Sequence, residues 1–122
     1  MKAEVKITKS FTRQAKKLMK KYASLSNELA ELQTLLEIEP YSGIKLSNNS
    51  FKIRLKVKSK GKGKSGGLRT ITYVEKEIIA VTEQIEENQI IVNLISIYDK
   101  SDTTIITDKE ICSLIDNMKH SE

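Results

Sequence analysis

Apolar and polar positions alternate one by one in some stretches of this chain and recur at helical spacing in others. Near the start, "AEVKITK" alternates, with Val5 and Ile7 on one side and Glu4, Lys6 and Thr8 on the other, which predicts a short first strand. Ser10 then offers a cap to "FTRQAKKLMKKY", where Phe11, Ala15, Leu18, Met19 and Tyr22 return at helical spacing. Lys16, Lys17, Lys20 and Lys21 occupy much of that helix's remaining surface. A second helix is expected to begin near Ser24 to Ser26, with Leu25, Leu29, Leu32, Leu35 and Leu36 as its apolar stripe. Pro40 stops it, because proline disfavours helix at the preceding residue and has no N–H to donate. The short connection between the two helices predicts an antiparallel helical hairpin.

"PYSG" is a turn signal, and the segment from there to Ser50 reads as loop. "FKIRLKVK" follows with the cleanest alternation in the chain. Phe51, Ile53, Leu55 and Val57 point one way and Lys52, Arg54, Lys56 and Lys58 the other, so a strand rests one face on a core and presents a row of cations. "LRTITYV" is rich in β-branched and aromatic residues and predicts a further strand. The stretch from Glu75 to Gln89 reads as an extended hairpin turning near Glu86 to Asn88. "IIVNLISIY" is almost continuously apolar, the mark of a central strand covered on both faces. Thr107 with Glu110 makes a capping box for a last helix striped by Ile111, Leu114, Ile115 and Met118. The expected fold is an α+β single domain over residues 1–122: an N-terminal strand, a helical hairpin, a mostly antiparallel sheet and a C-terminal helix.

Charge changes this picture locally. The net charge of +5 alone fits a nucleic-acid partner without requiring one. Its distribution is more telling: Lys52, Arg54, Lys56, Lys58, Lys60, Lys62, Lys64 and Arg69 lie close together with no Asp or Glu among them. The segment between the two strands, "SKGKGKSGGLR", mixes lysine with glycine. It has the Gly63, Lys64 and Ser65 of a Walker A ending, but Lys58 stands where the first glycine belongs, and the segment joins strands instead of opening a helix. A solvated hairpin tip and a phosphate grip both fit it. The cationic row on the preceding strand favours the grip, since a dense Lys/Arg surface releases counterions from a phosphate backbone and glycines allow close approach.

Several chemistries lack their residues. Cys112 is the single cysteine, which rules out an intrachain disulfide and a CxxC metal site, and its place beside the last apolar stripe reads as a small buried residue. The start lacks a signal-peptide core and no apolar run is long enough to span a membrane, so a cytoplasmic protein is expected. His120 sits near the C-terminal end and leaves no histidine pair for acid–base work. Asp99, Asp102 and Asp108 read as caps and turn formers, so neither a metal nor a cofactor is expected. Lys, Arg and Tyr remain, and they suit one reaction. RNA carries its own nucleophile, so cleavage needs the 2′-OH deprotonated, the phosphorane charge stabilised and the 5′-oxygen protonated. Crowded cations lower one another's pKa, and arginine clamps phosphate oxygens in a bidentate manner.

"FKIRL", "KGKGKSGGLRTITYV", "ISIYDKSD" and the closing "TDKEI" helix, in this order, resemble the RelE/HigB branch of bacterial toxins from type II toxin–antitoxin modules. The likeness runs over almost the whole chain and includes the two leading helices and "PYSG". It implies a RelE-like fold and a metal-independent, ribosome-dependent mRNA endonuclease that inhibits translation. Its implied partners are the ribosome, mRNA and a cognate antitoxin in an oligomeric complex. By resemblance, Lys52, Arg54, Arg69 and Lys100 match the family's catalytic cations; from the charge pattern itself, Lys56, Lys58, Lys60, Lys62 and Lys64 are expected to bind RNA or the ribosome. The tyrosine that RelE places after the last strand is missing from "TTIIT", and Tyr98 is the substitute by strand parity. The ParE branch, which has the same fold and inhibits DNA gyrase, and a non-catalytic RNA-binding module are the alternatives.

Overall fold

A computed structural model of the chain describes residues 2–60, 67–81, 86–100 and 106–121. Among these residues it is α+β, with three helices and a five-stranded mixed sheet. Strand β1 covers Glu4–Ile7, helix α1 Lys9–Lys21, helix α2 Leu25–Ile38, and strand β2 Ile44–Lys45. Strands β3, Ser50–Leu55, β4, Leu68–Val81, and β5, Glu86–Asp99, follow, and helix α3 spans Asp108–Ser121. The sheet order is β1-β5-β4-β3-β2, with β1 parallel to β5 and the other neighbours antiparallel. Two helices thus stand between β1 and the remaining strands, and one follows them.

Alternation divides the sheet into two faces. Phe51, Ile53 and Leu55 of β3, Leu68 of β4 and Val92, Leu94 and Ile97 of β5 join Phe11, Ala15, Leu25, Leu32 and Leu36 in the larger core. Helices α1 and α2 thus cover the first face. On the second face, Ile71 and Ile95 pack with Ile111, Ile115 and Met118 of α3. Strand β5 feeds both cores, which is why its sequence is nearly continuous apolar. A bulge helps. Ile71 pairs with Ser96 and Thr72 with Leu94, so Ile95 is an extra residue whose side chain joins the α3 side.

Several local expectations change. Thr8, not Ser10, caps α1: its Oγ1 accepts the Phe11 N–H at 3.2 Å. Ile7, Met19 and Leu35 keep more than a third of their surface exposed. The segment read as loop contains the short strand β2, which pairs Ile44 with Lys52 and Lys45 with Phe51. Glu86, Glu87 and Asn88, read as the turn between the two long strands, are instead paired with β4 as part of β5. Cys112 is exposed and accepts a 3.0 Å contact from Asn48 Nδ2, since the side of α3 that faces the sheet carries Ile111, Leu114, Ile115 and Met118. The Thr107–Glu110 capping box forms: the Glu110 N–H donates to Thr107 Oγ1 at 3.2 Å, and Glu110 Oε1 accepts the Thr107 N–H at 3.3 Å.

Candidate nucleic-acid interface

The cationic row begins on β3 and crosses the sheet. Arg54 is the register partner of Arg69 on β4, and Arg69 is in turn the partner of Tyr98 on β5. All three share the second face, because each alternates with a residue of the larger core: Leu55, Leu68 and Ile97. Lys52 lies one step along that face, opposite Ile71. Strands stand about 4.8 Å apart, so the Arg54–Arg69–Tyr98 row extends over roughly 10 Å. Three positions far apart in sequence become one strip.

Exposure differs along it. Arg54 is open and Lys52 half-buried, whereas Arg69 is only 5% exposed. Arg69 Nη1 donates to the Leu68 carbonyl oxygen at 3.4 Å and has further interactions. Arginine stays charged when covered, so Arg69 is a fixed positive centre in a medium that weakens its field less than water does. Tyr98 packs against the α3 core as a partly buried ring. Burial pushes its phenol above the ordinary tyrosine value, Arg69 pulls it back, and Glu110 at the start of α3 pushes it up. The hydroxyl is therefore held protonated through neutral pH.

The remaining cations do not extend the strip as the alternation predicts. Strand β3 ends at Leu55, so Lys56 lies beyond it and Lys58 starts a single 3₁₀ turn, Lys58–Lys60. Val57 still points inward at 5% exposure, which is why the sequence pattern overran the strand. Lys100 is exposed in the turn just after β5. Lys62 and Lys64 lie outside the described residues.

An anchor that local sequence reading missed holds the departure from β3. Glu28 of α2 is buried, and its Oε2 accepts the Lys58 N–H at 2.8 Å while Oε1 accepts Ser24 Oγ at 2.9 Å. Ser24 Oγ also accepts the Ser59 N–H at 2.9 Å, and Ser59 Oγ accepts the Ser24 N–H at 3.0 Å. The one signal was an acid on the apolar stripe of α2, between Leu25 and Leu32. The return is fixed too. Gly67 has φ +80°, and a Cβ there would lie 2.0 Å from the Leu55 carbonyl oxygen. No side chain fits that approach.

At the end of β5, Tyr22 donates its hydroxyl to Asp99 Oδ2 at 2.7 Å, in the protein interior. Asp99 is thus tied to the C-terminal end of α1, and Asp102 lies outside the described residues. Among the described residues, no group of three or more His, Cys, Asp or Glu is placed to hold a metal ion. His120 is exposed, and none of the described helices is long and apolar enough to cross a membrane. Compared with protein-family models, curated proteins and solved structures, the chain matches none.

Proposed function

We propose that this chain is a RelE/HigB-like toxin that cuts mRNA on the ribosome without a metal and is held inactive by a cognate antitoxin. The observation that carries the reading is the Arg54–Arg69 cross-strand pair beside Tyr98. The pair puts an exposed guanidinium, Arg54, beside a buried one, Arg69, on the face that also holds the Tyr98 phenol. Two arginines and a phenol grouped in one strip suit an RNA phosphodiester with its neighbouring 2′-OH.

The chemistry is assigned residue by residue. Lys52 takes the 2′-OH proton, and the 2′-oxygen attacks phosphorus in line with the departing 5′-oxygen. Arg54 from the surface and Arg69 from beneath stabilise charge on the phosphorane oxygens. Tyr98, still protonated at neutral pH, or Lys100 gives a proton to the 5′-oxygen as the P–O bond breaks. The products are a 2′,3′-cyclic phosphate and a 5′-OH. Lys56, Lys58 and Lys60, with Lys62 and Lys64, attract the RNA backbone and carry no chemistry.

Single-turnover cleavage on programmed ribosomes, with chelator present, tests this. Losing one preorganised donor commonly costs on the order of 10² to 10³ in rate, so Arg54→Gln and Arg69→Ala should each fall by that factor. Arg54 is exposed, so its variant reads chemistry without a folding defect. Wild-type activity that disappears in chelator, or an unimpaired Arg54→Gln, overturns the mechanism. Inhibition of gyrase with no RNA cleavage would favour the ParE-like reading instead.

A further inference from the structure

The exposed side of α1 has no part in the strip just described, yet it is the second cationic surface of the molecule. Lys9, Arg13, Lys16, Lys17 and Lys20 are all exposed on it. No Asp or Glu occurs between Glu4 and Glu28, and the first turn of the helix has no acid. Lys9 and Arg13, Arg13 and Lys17, and Lys16 and Lys20 are each four residues apart, where like charges on a helix repel. With a rise of 1.5 Å per residue, Lys9 to Lys20 spans about 16 Å of single-signed surface. Beside it, Ile7, Lys9, Thr12, Arg13 and Lys16 line an open hollow of about 370 Å³.

We propose that this side of α1 is a second RNA-binding surface, which takes a different RNA segment from the one at Arg54 and Arg69. The placement requires two segments. Phe11 and Ala15 bury the inner side of α1 in the larger core, on the first face of the sheet, whereas Arg54 and Arg69 lie on the second. The sheet stands between the two surfaces. This rests on the endonuclease reading only for the identity of the RNA: the strip takes mRNA, and α1 takes the structured RNA of the ribosome.

The chemistry selects a polyanion over other partners. A helix that binds a membrane surface inserts an apolar side, but that side of α1 is already buried against β5. A protein interface is anchored by buried aromatic or large apolar groups, and this surface offers Met19, at 37% exposure, and the neighbouring Ile7 of β1, at 50%, with no aromatic residue. Five cations against two apolar side chains suit a phosphate backbone, whose affinity comes from released counterions.

The test compares the parent with a variant carrying Arg13→Gln, Lys16→Gln, Lys17→Gln and Lys20→Gln. All four positions are exposed, and glutamine keeps helix propensity, so the melting temperature should hold; Lys16→Glu with Lys20→Glu is the second variant. Binding to purified ribosomes is measured against salt, with anionic vesicles as a second probe. With a counterion slope of about 0.7 per phosphate on single-stranded RNA and somewhat more on duplex, the log–log slope should become shallower by roughly two to three units. Cleavage at saturating protein should persist, and combining the four changes with Arg54→Gln should add the two losses of slope. Unchanged ribosome affinity and slope in both variants overturns the proposal, as does binding lost only on vesicles. The two readings separate. A parent that cleaves RNA, with unaltered binding in both variants, leaves the nuclease standing without this surface. A parent that never cleaves but loses ribosome affinity on substitution leaves this surface standing without the nuclease.

Discussion

Glu28 provides the sharpest test of the architecture, because a buried carboxylate should be visible in stability when it is removed. In Glu28→Ala, the Lys58 N–H loses its 2.8 Å acceptor and Ser24 Oγ loses one partner. Ser24 keeps its bonds to Ser59, so the Lys58 amide is the group left wanting. A hydrogen bond to a charged group is worth about 1.5–3 kcal/mol, and relief of the carboxylate's own desolvation offsets part of that. The net expectation is a loss of about 1–2 kcal/mol. Glu28→Gln retains a carbonyl acceptor for Lys58 and gives up only the charge, so it should lose about half as much. Urea denaturation reads both, provided the slope against denaturant is unchanged. Amide exchange at Lys58 should quicken in Glu28→Ala and much less in Glu28→Gln. If Glu28→Ala is as stable as the parent, or Glu28→Gln is the worse of the two, the anchor does not hold the chain as argued.

Two further outcomes follow from the geometry. Gly67→Ala places a methyl 2.0 Å from the Leu55 carbonyl oxygen at a φ of +80°, so it should destabilise by more than the roughly 1 kcal/mol of an unfavourable φ alone, read by thermal melting. Tyr98 has a folded pKa raised above its unfolded value, so its contribution to stability is complete below the ordinary tyrosine range and disappears as pH rises through the higher folded value. In ultraviolet titration of the phenols the Tyr98 component should move later in Arg69→Gln and earlier in Glu110→Gln; a Tyr98→Phe variant that leaves the late part of the titration unchanged would refute the assignment.

What the sequence disclosed depended on whether the cause was local. Strand β5 was legible because Val92, Leu94 and Ile97 on one face and Ile95 on the other leave a continuous apolar run. Strand β3 was legible in kind but not in length: Val57 stays buried after the chain has left the sheet, so the alternation outlives the strand. Glu86 to Asn88 was read as a turn because "EENQ" has the polar look of one, whereas those residues are paired with β4. Two hydroxyls near the start of α1 compete for the cap, and only geometry distinguishes Thr8 from Ser10. The cationic positions themselves were visible, and parity put Lys52 and Arg54 on one face. Their union with Tyr98 was a matter of register, which depends on Leu68 facing Leu55 on one side and Asp99 on the other. The Glu28 anchor links residues 30 positions apart and had almost no local trace.

The parallel pairing of β1 with β5 also fixes when the molecule can fold. Thr8 donates its hydroxyl to the Leu94 carbonyl oxygen, 86 positions further along the chain. During synthesis α1 and α2 can form early, since helical contacts are local, but the strand on which α1 packs, Glu86–Asp99, is made only after α2, β3 and β4. Until then Phe11, Ala15 and Val5 have no sheet to cover, and β1 has no neighbour. The Arg54–Arg69–Tyr98 strip is likewise incomplete until β5 arrives. A nascent chain stopped before Ile90 should therefore be a substrate for proteases and chaperones, with Arg54 and Arg69 still lacking their β5 neighbour Tyr98.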